Sequence, residues 1–293
     1  MRYRQSPLER FIDLLIYLSL IFITFLTLYP IWHVLMASIS DGDVLMRTRG
    51  ILLLPAGLSL DAFVVVMKNP SILSGYTNTL LYVFFGTSLN LILTTLGAYV
   101  LSRKNFLWST PAMILIVITM FFSGGMVPDF LLIEKLNLIN SPLALILPSA
   151  INTFNLIIMR TAFAAVPDAL EEAAKLEGAN DFHILIKIFI PISSAVIAVM
   201  VLYYAVAHWN SWFPAMLYLR SRVLYPLQLI LREILIMNSL DTMRGNIEFE
   251  DLYKVSETIK YATIIVSTIP ILMLYPFLQK YFVKGVMIGA LKG

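Results

Sequence analysis

The sequence predicts an all-α membrane protein that crosses the bilayer six times. Of its 293 residues, 59% are hydrophobic and 13% are charged, whereas a typical soluble domain has roughly 45 to 50% and about 25%. The mean hydropathy is +0.83. A water-facing surface needs more charge than 21 basic and 18 acidic side chains can supply. Lipid is therefore the expected solvent for most of the chain.

Six long stretches without Asp, Glu, Lys or Arg predict the six spans. An ionised side chain at the bilayer centre is costly, and about 20 apolar residues cross the hydrocarbon core. The six stretches are 19 to 34 residues long, and the next longest has 11. They are Leu14–Ser40, Asn69–Ser102, Asn105–Pro128, Leu136–Met159, Ile188–Leu219 and Tyr261–Gln279.

The first stretch has two interpretations, a signal peptide or an uncleaved span. Arg2, Arg4 and Arg10 precede it, as they would precede either. Secretory apolar regions run about 7 to 15 residues, and this one is 27 residues long. The length favours an uncleaved first span.

Six spans put both termini on one side of the membrane, and the basic residues favour the cytoplasm. With the N-terminus inside, 11 of the 21 basic residues are cytoplasmic. Five of them lie directly at span ends, where they count most: Arg10, Arg103, Lys104, Lys280 and Lys284. We therefore expect a multi-pass protein with both termini in the cytoplasm.

The segments on the outer side contain further structure. Residues 41–70 and 220–260 carry apolar stretches that predict short helices or re-entrant segments. The clearest is Tyr225–Met237, whose leucines and isoleucines recur at helical spacing, so we expect it to pack against the bundle. Ser123, Gly124 and Gly125 predict a break at the outer end of span three.

The inner loop between spans four and five, residues 166–191, has the most specific pattern in the chain. Asp168 is placed to cap a helix together with Glu171 three residues on. Alanines lie on one face of this helix. A short surface helix of that kind fits either a groove on another protein or the lipid headgroups.

A glycine divides this loop into two helices. Gly178 permits a left-handed stop for the first helix. Asn180 or Asp181 can then cap the second. Pro191 is expected to end the stretch at the membrane.

The loop resembles the EAA motif found in the membrane subunits of ABC importers. The matching residues are Glu172, Ala173, Ala174, Gly178, Ile188 and Pro191. Ile190 stands where the motif has leucine. Four further segments are similar to the MalG-type carbohydrate permeases, so the resemblance covers most of the chain from about Tyr76 onward. These segments are 139–160, 208–217, 225–235 and 279–293. The chain is most similar to the oligosaccharide branch, which includes the smaller membrane subunit of a bacterial alginate importer.

The resemblance implies a fold, a division of the chain and a function. The fold is that of type I ABC importers (MetI-like). Residues 1–75 form the first span and outer loop, residues 76–280 the permease core, and residues 281–293 a cytoplasmic tail. The chain is then a permease subunit, in the bacterial inner membrane, that imports an oligosaccharide, with alginate or another acidic polysaccharide as the candidate substrate.

The resemblance also implies partners and cofactors outside this chain. The partners are a second homologous permease subunit that forms a heterodimer, two ABC ATPase subunits and an extracytoplasmic solute-binding protein. ATP and Mg²⁺ belong to the ATPases. The sequence agrees, because it contains no GxxxxGK[ST] phosphate loop, so the chain itself is not expected to be an enzyme.

The resemblance assigns residues to ATPase coupling. Glu172 makes the polar contact, Ala173 and Ala174 pack closely, Gly178 forms the tight turn and Pro191 ends the motif. In the family the C-terminal tail also enters the ATPase interface. The tail residues that match are Lys284, Gly285, Gly289 and Lys292.

The substrate pathway is less distinct in the sequence. Tyr203, Trp209 and Trp212 lie late in span five, where they can stack on sugar rings or form an interfacial aromatic belt, and the belt is favoured. Asn152 and Asn155 lie three apart on span four, where they can bind a hydroxyl or a neighbouring helix. The candidates are Asn152, Asn155, Tyr203, Trp209, Asn210 and Trp212.

Other classes of function fit less well. An ion-coupled secondary transporter needs ionisable groups inside its spans, and here the predicted spans hold only His33 and His208. For these two histidines a packing role is favoured over metal binding, since no second ligand is suitably spaced. A non-transporting membrane scaffold stays an alternative. With no cysteine and a net charge of +3, thiolate chemistry is excluded and nucleic-acid binding is disfavoured.

Overall fold

The computed structural model describes residues 7–122, 124–237 and 257–273. Within these ranges the chain is helical and forms no strand beyond one isolated bridge between Ser40 and Leu58. The all-α prediction is therefore confirmed. The α-helices are α1 (Pro7–Ser38), α2 (Gly42–Arg47), α3 (Asp61–Lys68), α4 (Pro70–Ser102), α5 (Ser109–Phe121), α6 (Met126–Lys135), α7 (Leu143–Ile146), α8 (Thr153–Ala164), α9 (Asp168–Leu176), α10 (Asp181–Ile184), α11 (Ile190–Ile192), α12 (Ser194–Trp209), α13 (Phe213–Tyr218), α14 (Leu227–Met237) and α15 (257–273).

Each charge-free stretch overlaps a helix, but several of the expected spans are broken. In the described ranges, α1 and α4 are the two unbroken helices long and apolar enough to cross a membrane. Two bent pairs reach the required length together, α5 with α6 and Asp181–Ile192 with α12. The break between α5 and α6 confirms the one predicted at residues 123–125. The count of six spans stays a prediction.

The fourth expected span is also not one helix, since α7 ends at Ile146 and α8 begins at Thr153. The Asn152 side chain caps α8 by accepting a hydrogen bond from the Asn155 amide at 3.0 Å. From α4, the Asn90 side-chain amide donates to the carbonyls of Ser149 and Ala150. Hydropathy does not reveal such a break, because the freed backbone groups are satisfied by another helix.

The chain divides into two compact units, and among the described residues the first comprises 7–70, 233–237 and 257–268. Its small core contains Met36, Ala37 and Leu52. Most large apolar side chains of α1 are exposed, which suits a helix that faces lipid. Of the two alternatives predicted for residues 41–70, short helices or re-entrant segments, α2 and α3 are short helices.

Among the described residues, the second unit comprises 71–122, 124–232 and 269–273. One apolar cluster is built around Tyr99, Phe163 and Phe189, and another around Tyr82 and Leu229. The amphipathic stretch after Tyr225 packs as expected, because its apolar side chains are buried. The buried residues at its start are Leu227, Leu229 and Ile230.

A glycine on α4 provides space for a buried histidine of α12. The His208 ring packs directly on Gly86, and its Nε2 lies 2.7 Å from Oδ1 of Asn90. This hydrogen bond confirms the packing role expected for His208. It also orients the Asn90 amide that serves the break before α8.

Gly86→Ala is expected to destabilise the protein. A Cβ at this position would lie 2.6 Å from Cε1 of His208, and overpacking a buried site costs about 1 to 3 kcal/mol. Gly97→Ala on the same helix is the matched control, since its Cβ would lie 3.3 Å from the flexible end of Leu156. The measurement is the thermal unfolding midpoint in detergent. Equal midpoints for the two variants would contradict the packing described.

Candidate coupling and substrate sites

The predicted inner loop folds as two short helices joined by a glycine turn. Gly178 has φ +82°, a left-handed conformation that favours glycine. The Ala179 amide donates to the Ala174 carbonyl at 3.0 Å across this turn, which is the Schellman ending of a helix. The Asn180 side chain caps α10 by accepting from the His183 amide at 2.8 Å. The predicted stop is confirmed, and of the two candidate caps, Asn180 and Asp181, Asn180 is the one that caps α10.

The capping pair predicted for α9 is wrong. Asp168 is the first residue of the helix, and Pro167 before it makes no side-chain cap. Asp168 instead pairs with Lys104, and Glu171 pairs with Arg103. Both cations lie in the loop after α4. The two carboxylates therefore form ion pairs with this loop instead of the hydrogen bonds to backbone amides that a capping box would make.

The Arg103 guanidinium is enclosed by several elements. Its side chain is 14% exposed and that of Glu171 is 13% exposed. The guanidinium donates to Ser102 Oγ at 3.0 Å and to the Phe163 carbonyl at 3.3 Å. It also lies 4.2 Å from the centre of the Phe189 ring, within range of a cation–π interaction.

The neighbouring ion pair differs in its surroundings. The side chains of Lys104 and Asp168 are 80% and 50% exposed, so water and salt screen their attraction. Their hydrogen bond raises the pKa of Lys104 and lowers the pKa of Asp168. The two adjacent cations therefore hold the same helix through one enclosed and one exposed pair.

Glu171 is the centre of this ionic network. Burial opposes its ionisation, but hydrogen bonds from Lys175 and Arg103, with their positive charges, hold the Glu171 pKa below its ordinary value of 4.5. Lys175 lies 2.7 Å from Glu171 and 3.9 Å from Asp181 on the next helix. The hydrogen bond to Glu171 raises the Lys175 pKa.

The opposite face of α9 is open. Glu172 and Ala173 are exposed, and Leu176 is 90% exposed on the same face. Ala174 is half-buried and packs towards the Phe163 cluster. Gly178 is exposed, and a Cβ there would meet no atom within 4 Å. Three of the residues that match the motif, Glu172, Ala173 and Gly178, are therefore accessible on α9 and at its end.

Pro191 lies at a bend rather than at the end of a helix. A π-helical turn over Leu185–Phe189 precedes it, and Pro191 has no amide hydrogen to donate to that turn. The helical chain continues to Ile192, and α12 then leaves at 86° to the segment Asp181–Ile192. The predicted end is thus displaced to Ser193.

A cavity of about 710 Å³ lies between the break before α8 and the second half of α12. Of the sequence-predicted pathway residues, Asn152, Asn155 and Tyr203 line it. The other residues of its lining are Ala144, Leu145, Pro148, Ser149, Ile151, Phe154, Tyr204, Ala207, His208, Ser211, Pro214 and Tyr218. No Lys, Arg, Asp or Glu belongs to this lining.

The other three pathway candidates lie elsewhere. Trp209 is 4% exposed and packs edge-on against Tyr76. Asn210 ends α12 as its C-cap. Trp212 lies under the Arg232 guanidinium at 4.7 Å. The four predicted tail residues, Lys284, Gly285, Gly289 and Lys292, lie outside the described residues.

Two networks were not found from the sequence. In the cavity wall, Tyr204 Oη accepts from the Asn152 amide at 3.3 Å and lies 2.7 Å from Thr94 Oγ1. These partners are separated by 52 and 110 positions, so spacing carries no signal of them. The second network is the ion pair of Arg103 with Glu171. The sequence identifies Arg103 as a cation at a span end, but no local pattern indicates that its partner is Glu171.

Comparison with known proteins identifies the class. The chain is 40% identical to the polygalacturonan/rhamnogalacturonan transport system permease protein YtcP of Bacillus subtilis (strain 168). The alignment covers 97% of this chain and 99% of that protein. It is 36% identical to Protein LplC of the same organism, over an alignment that covers 92% of this chain and 90% of that protein. No protein-family profile matches the chain.

A solved structure agrees. A crystal structure of a bacterial ABC transporter involved in the import of the acidic polysaccharide alginate matches with a TM-score of 0.86 and 32% identity, covering 95% of this chain and 99% of that chain. The chain therefore belongs to the MalG-type permease subunits of carbohydrate ABC importers. It has the fold of an ABC importer permease.

Membership decides between the functions considered. The chain is a membrane-embedded transport subunit and not an enzyme, and ATP drives the complex through partner subunits. A permease of this family works with ATPase subunits and a solute-binding protein. Membership therefore favours an ABC importer over an ion-coupled transporter or a scaffold. In the described residues no group of three His, Asp or Glu side chains could hold a metal ion.

The Glu171 ion pair should make stability depend on pH. Because the folded-state pKa of Glu171 lies below 4.5, the folded protein binds fewer protons than the unfolded protein near that pH. The stabilisation is present above pH 4.5 and is lost as pH falls through the folded-state pKa. Wild type and Glu171→Gln should thus differ most at neutral pH, and the difference should shrink in acid.

The measurement is the free energy of unfolding in detergent from about pH 7 to about pH 3.5. Asp168→Asn is the control, because its ion pair is exposed and should give a smaller difference. A difference between wild type and Glu171→Gln that stays constant over this range would refute the enclosed pair.

Proposed function

We propose that this chain is one half of a heterodimeric permease whose helix α9 docks into a groove on a partner ATPase subunit. The observation that carries the proposal is the open face of α9, where Glu172, Ala173 and Leu176 are exposed together. An apolar side chain beside a small alanine on a water-facing loop supports close contact with another protein.

Charge favours a protein groove over lipid headgroups. Helices that lie on membranes carry Lys and Arg on their polar face, since the cytoplasmic leaflet is anionic. α9 carries three acids and a single base. The acids are Asp168, Glu171 and Glu172, and the base is Lys175. Two of these acids are paired with Lys104 and Arg103, and the open face carries Glu172 but no Lys or Arg. α9 therefore has no basic face to bind anionic headgroups, which supports the docking proposal.

Most residues of the motif have a role in this contact. Glu172 makes a polar contact with the ATPase, and Ala173 lets the two surfaces approach closely. Ala174, which was expected to share that role, packs α9 on its own subunit instead. Gly178 turns the chain away without a side chain. Pro191 fixes the bend that leads into α12. The tail adds a second ATPase contact through residues outside the described ranges: Lys284, Gly285, Gly289 and Lys292.

This arrangement implies an orientation and a distribution of cofactors. The α9 side of the chain and both termini face the cytoplasm, where the ATPase subunits lie. ATP and Mg²⁺ bind to those two subunits and not to this chain. An extracytoplasmic solute-binding protein delivers the sugar to the opposite side.

The proposed substrate is an oligosaccharide of the acidic type that the names of the relatives record, polygalacturonan and alginate. The cavity of about 710 Å³ is its pathway in this subunit. Asn152 and Asn155 offer amide groups to hydroxyls, and Tyr203 offers a ring face for stacking. Since the lining carries no cation, the carboxylates of an acidic sugar need cationic partners outside this cavity.

Gly178→Asp is expected to uncouple transport while the protein still inserts and folds. A Cβ at this position meets no atom within 4 Å, and the backbone strain of a side chain at positive φ is shared by the control, so the specific effect of Gly178→Asp is to obstruct the partner groove. Binding-protein-stimulated ATP hydrolysis by the reconstituted complex should fall to its basal level. Gly50→Asp is the control, because Gly50 also has positive φ and open space but lies in the predicted outer loop.

Two outcomes would count against docking by α9. Full stimulation in Gly178→Asp would show that the turn does not face the ATPase. A loss of folded protein in Gly178→Asp, with Gly50→Asp unaffected, would show that Gly178 serves only to end the helix.

Asn152→Ser tests the pathway. Serine keeps the cap of α8 but removes the amide from the cavity, so sugar uptake should fall while basal ATP hydrolysis and stability stay unchanged. We expect a loss on the order of tenfold, the effect of about 1.4 kcal/mol. Asn210→Ser is the control, since Asn210 does not line the cavity. Unchanged uptake of the labelled oligosaccharide would exclude Asn152 from the pathway.

A further inference from the structure

Few contacts attach α9 to the rest of the subunit. None of its residues is fully buried, and Ala174 gives the helix a half-buried apolar contact. The Lys104 pair at its start is exposed to solvent. The enclosed contact between α9 and the spans is the ion pair of Glu171 with Arg103.

Arg103 joins α9 to three other elements at one point. It contacts Tyr99 and Ser102 at the end of α4, the carbonyl of Phe163 in α8 and the ring of Phe189 in the π-helical turn. Phe163 and Phe189 are fully buried and pack edge-on at 5.7 Å. The guanidinium is therefore held by a rigid aromatic wall on one side and by α9 on the other.

Only arginine can make this set of contacts. Its planar guanidinium presents a face to the Phe189 ring while its edge donates to a carboxylate, a hydroxyl and a carbonyl. A lysine ammonium is a point charge with three donors, so it can keep the ion pair with Glu171 but not the stacked contact.

We propose that Arg103 is a positioning residue that makes α9 move as one body with the inner ends of α4 and α8 and with the segment 185–189. The inference rests on the proposed docking of α9 and deepens it. When the ATPase moves α9, the load passes through Glu171 and Arg103 to the aromatic wall. Without Arg103, α9 moves with the ATPase, but α4, α8 and the segment 185–189 no longer move with α9.

The absence of cysteine permits a direct test in the assembled importer. Glu177→Cys at the C-cap of α9, outside its open face, and Leu107→Cys after α4 give two exposed spin-label sites. We expect the distance between the labels to stay the same without nucleotide and with ATP bound when Arg103 is present. In Arg103→Gln it should change when ATP binds.

Transport supplies the second readout. Arg103→Gln and Arg103→Lys should retain the ATPase subunits and basal hydrolysis, but lose on the order of tenfold in sugar transported per ATP, within the usual range of coupling between sites. Arg103→Lys keeps a positive charge beside Glu171, so this variant separates a loss of coupling from misfolding caused by an unpaired Glu171. Lys104→Gln is the matched control, an adjacent cation paired to the same helix, and should stay within about twofold of wild type.

Three results would overturn the proposal. The label distance could respond to ATP identically in wild type and Arg103→Gln, Lys104→Gln could lose as much coupling as Arg103→Gln, or Arg103→Lys could transport normally. Loss of the ATPase subunits from both Arg103 variants would assign Arg103 to docking instead, which also overturns it. Failure of docking itself is distinguished by Gly178→Asp, which would then remain fully stimulated.

Discussion

Backbone polar groups inside a bilayer have to be satisfied by protein, and this requirement governs the central part of the chain. Where α7 and α8 separate, Asn90 donates to two carbonyls of the break and Tyr204 accepts the amide of Asn152. Asn90 is oriented in turn by His208, and the close approach of that ring requires Gly86. The helical path can therefore be interrupted between α7 and α8 because α4 and α12 supply the missing hydrogen-bond partners.

The interruption creates a polar surface where a continuous helix would present apolar side chains. Asn152 is exposed because it caps α8 instead of lying within a helix, and Tyr203 lines the same cavity from α12. Exposed polar groups of this kind do not face lipid, so this wall adjoins water or another subunit. The satisfied break and the neutral cavity are thus two results of one arrangement.

Local patterns in the sequence predicted local structure well. The stop at Gly178 is predictable, and the cap is predictable to Asn180 or Asp181, because a left-handed stop and an N-cap depend on a few neighbouring residues. Asp168 and Glu171 were assigned wrongly because distant cations compete for them, 64 and 68 positions away. The break before α8 was missed for the same reason, since Asn90 is 59 positions from Ser149. Apolar composition identified the helices but not where they bend.

The segment from α10 to the end of α12 connects the two candidate sites physically. Phe189, near its start, lies against Arg103, and Tyr204 and His208, near its end, line the cavity. Between them the chain bends by 86° at Ser193, so a displacement along the first arm becomes a sideways displacement of the second. Charge is confined to the first arm and the cavity wall on the second is neutral. In the proposed function, the movement of the ATPase is received at α9, which is held by ion pairs. It takes effect at the cavity, where hydroxyl groups and aromatic rings contact the sugar.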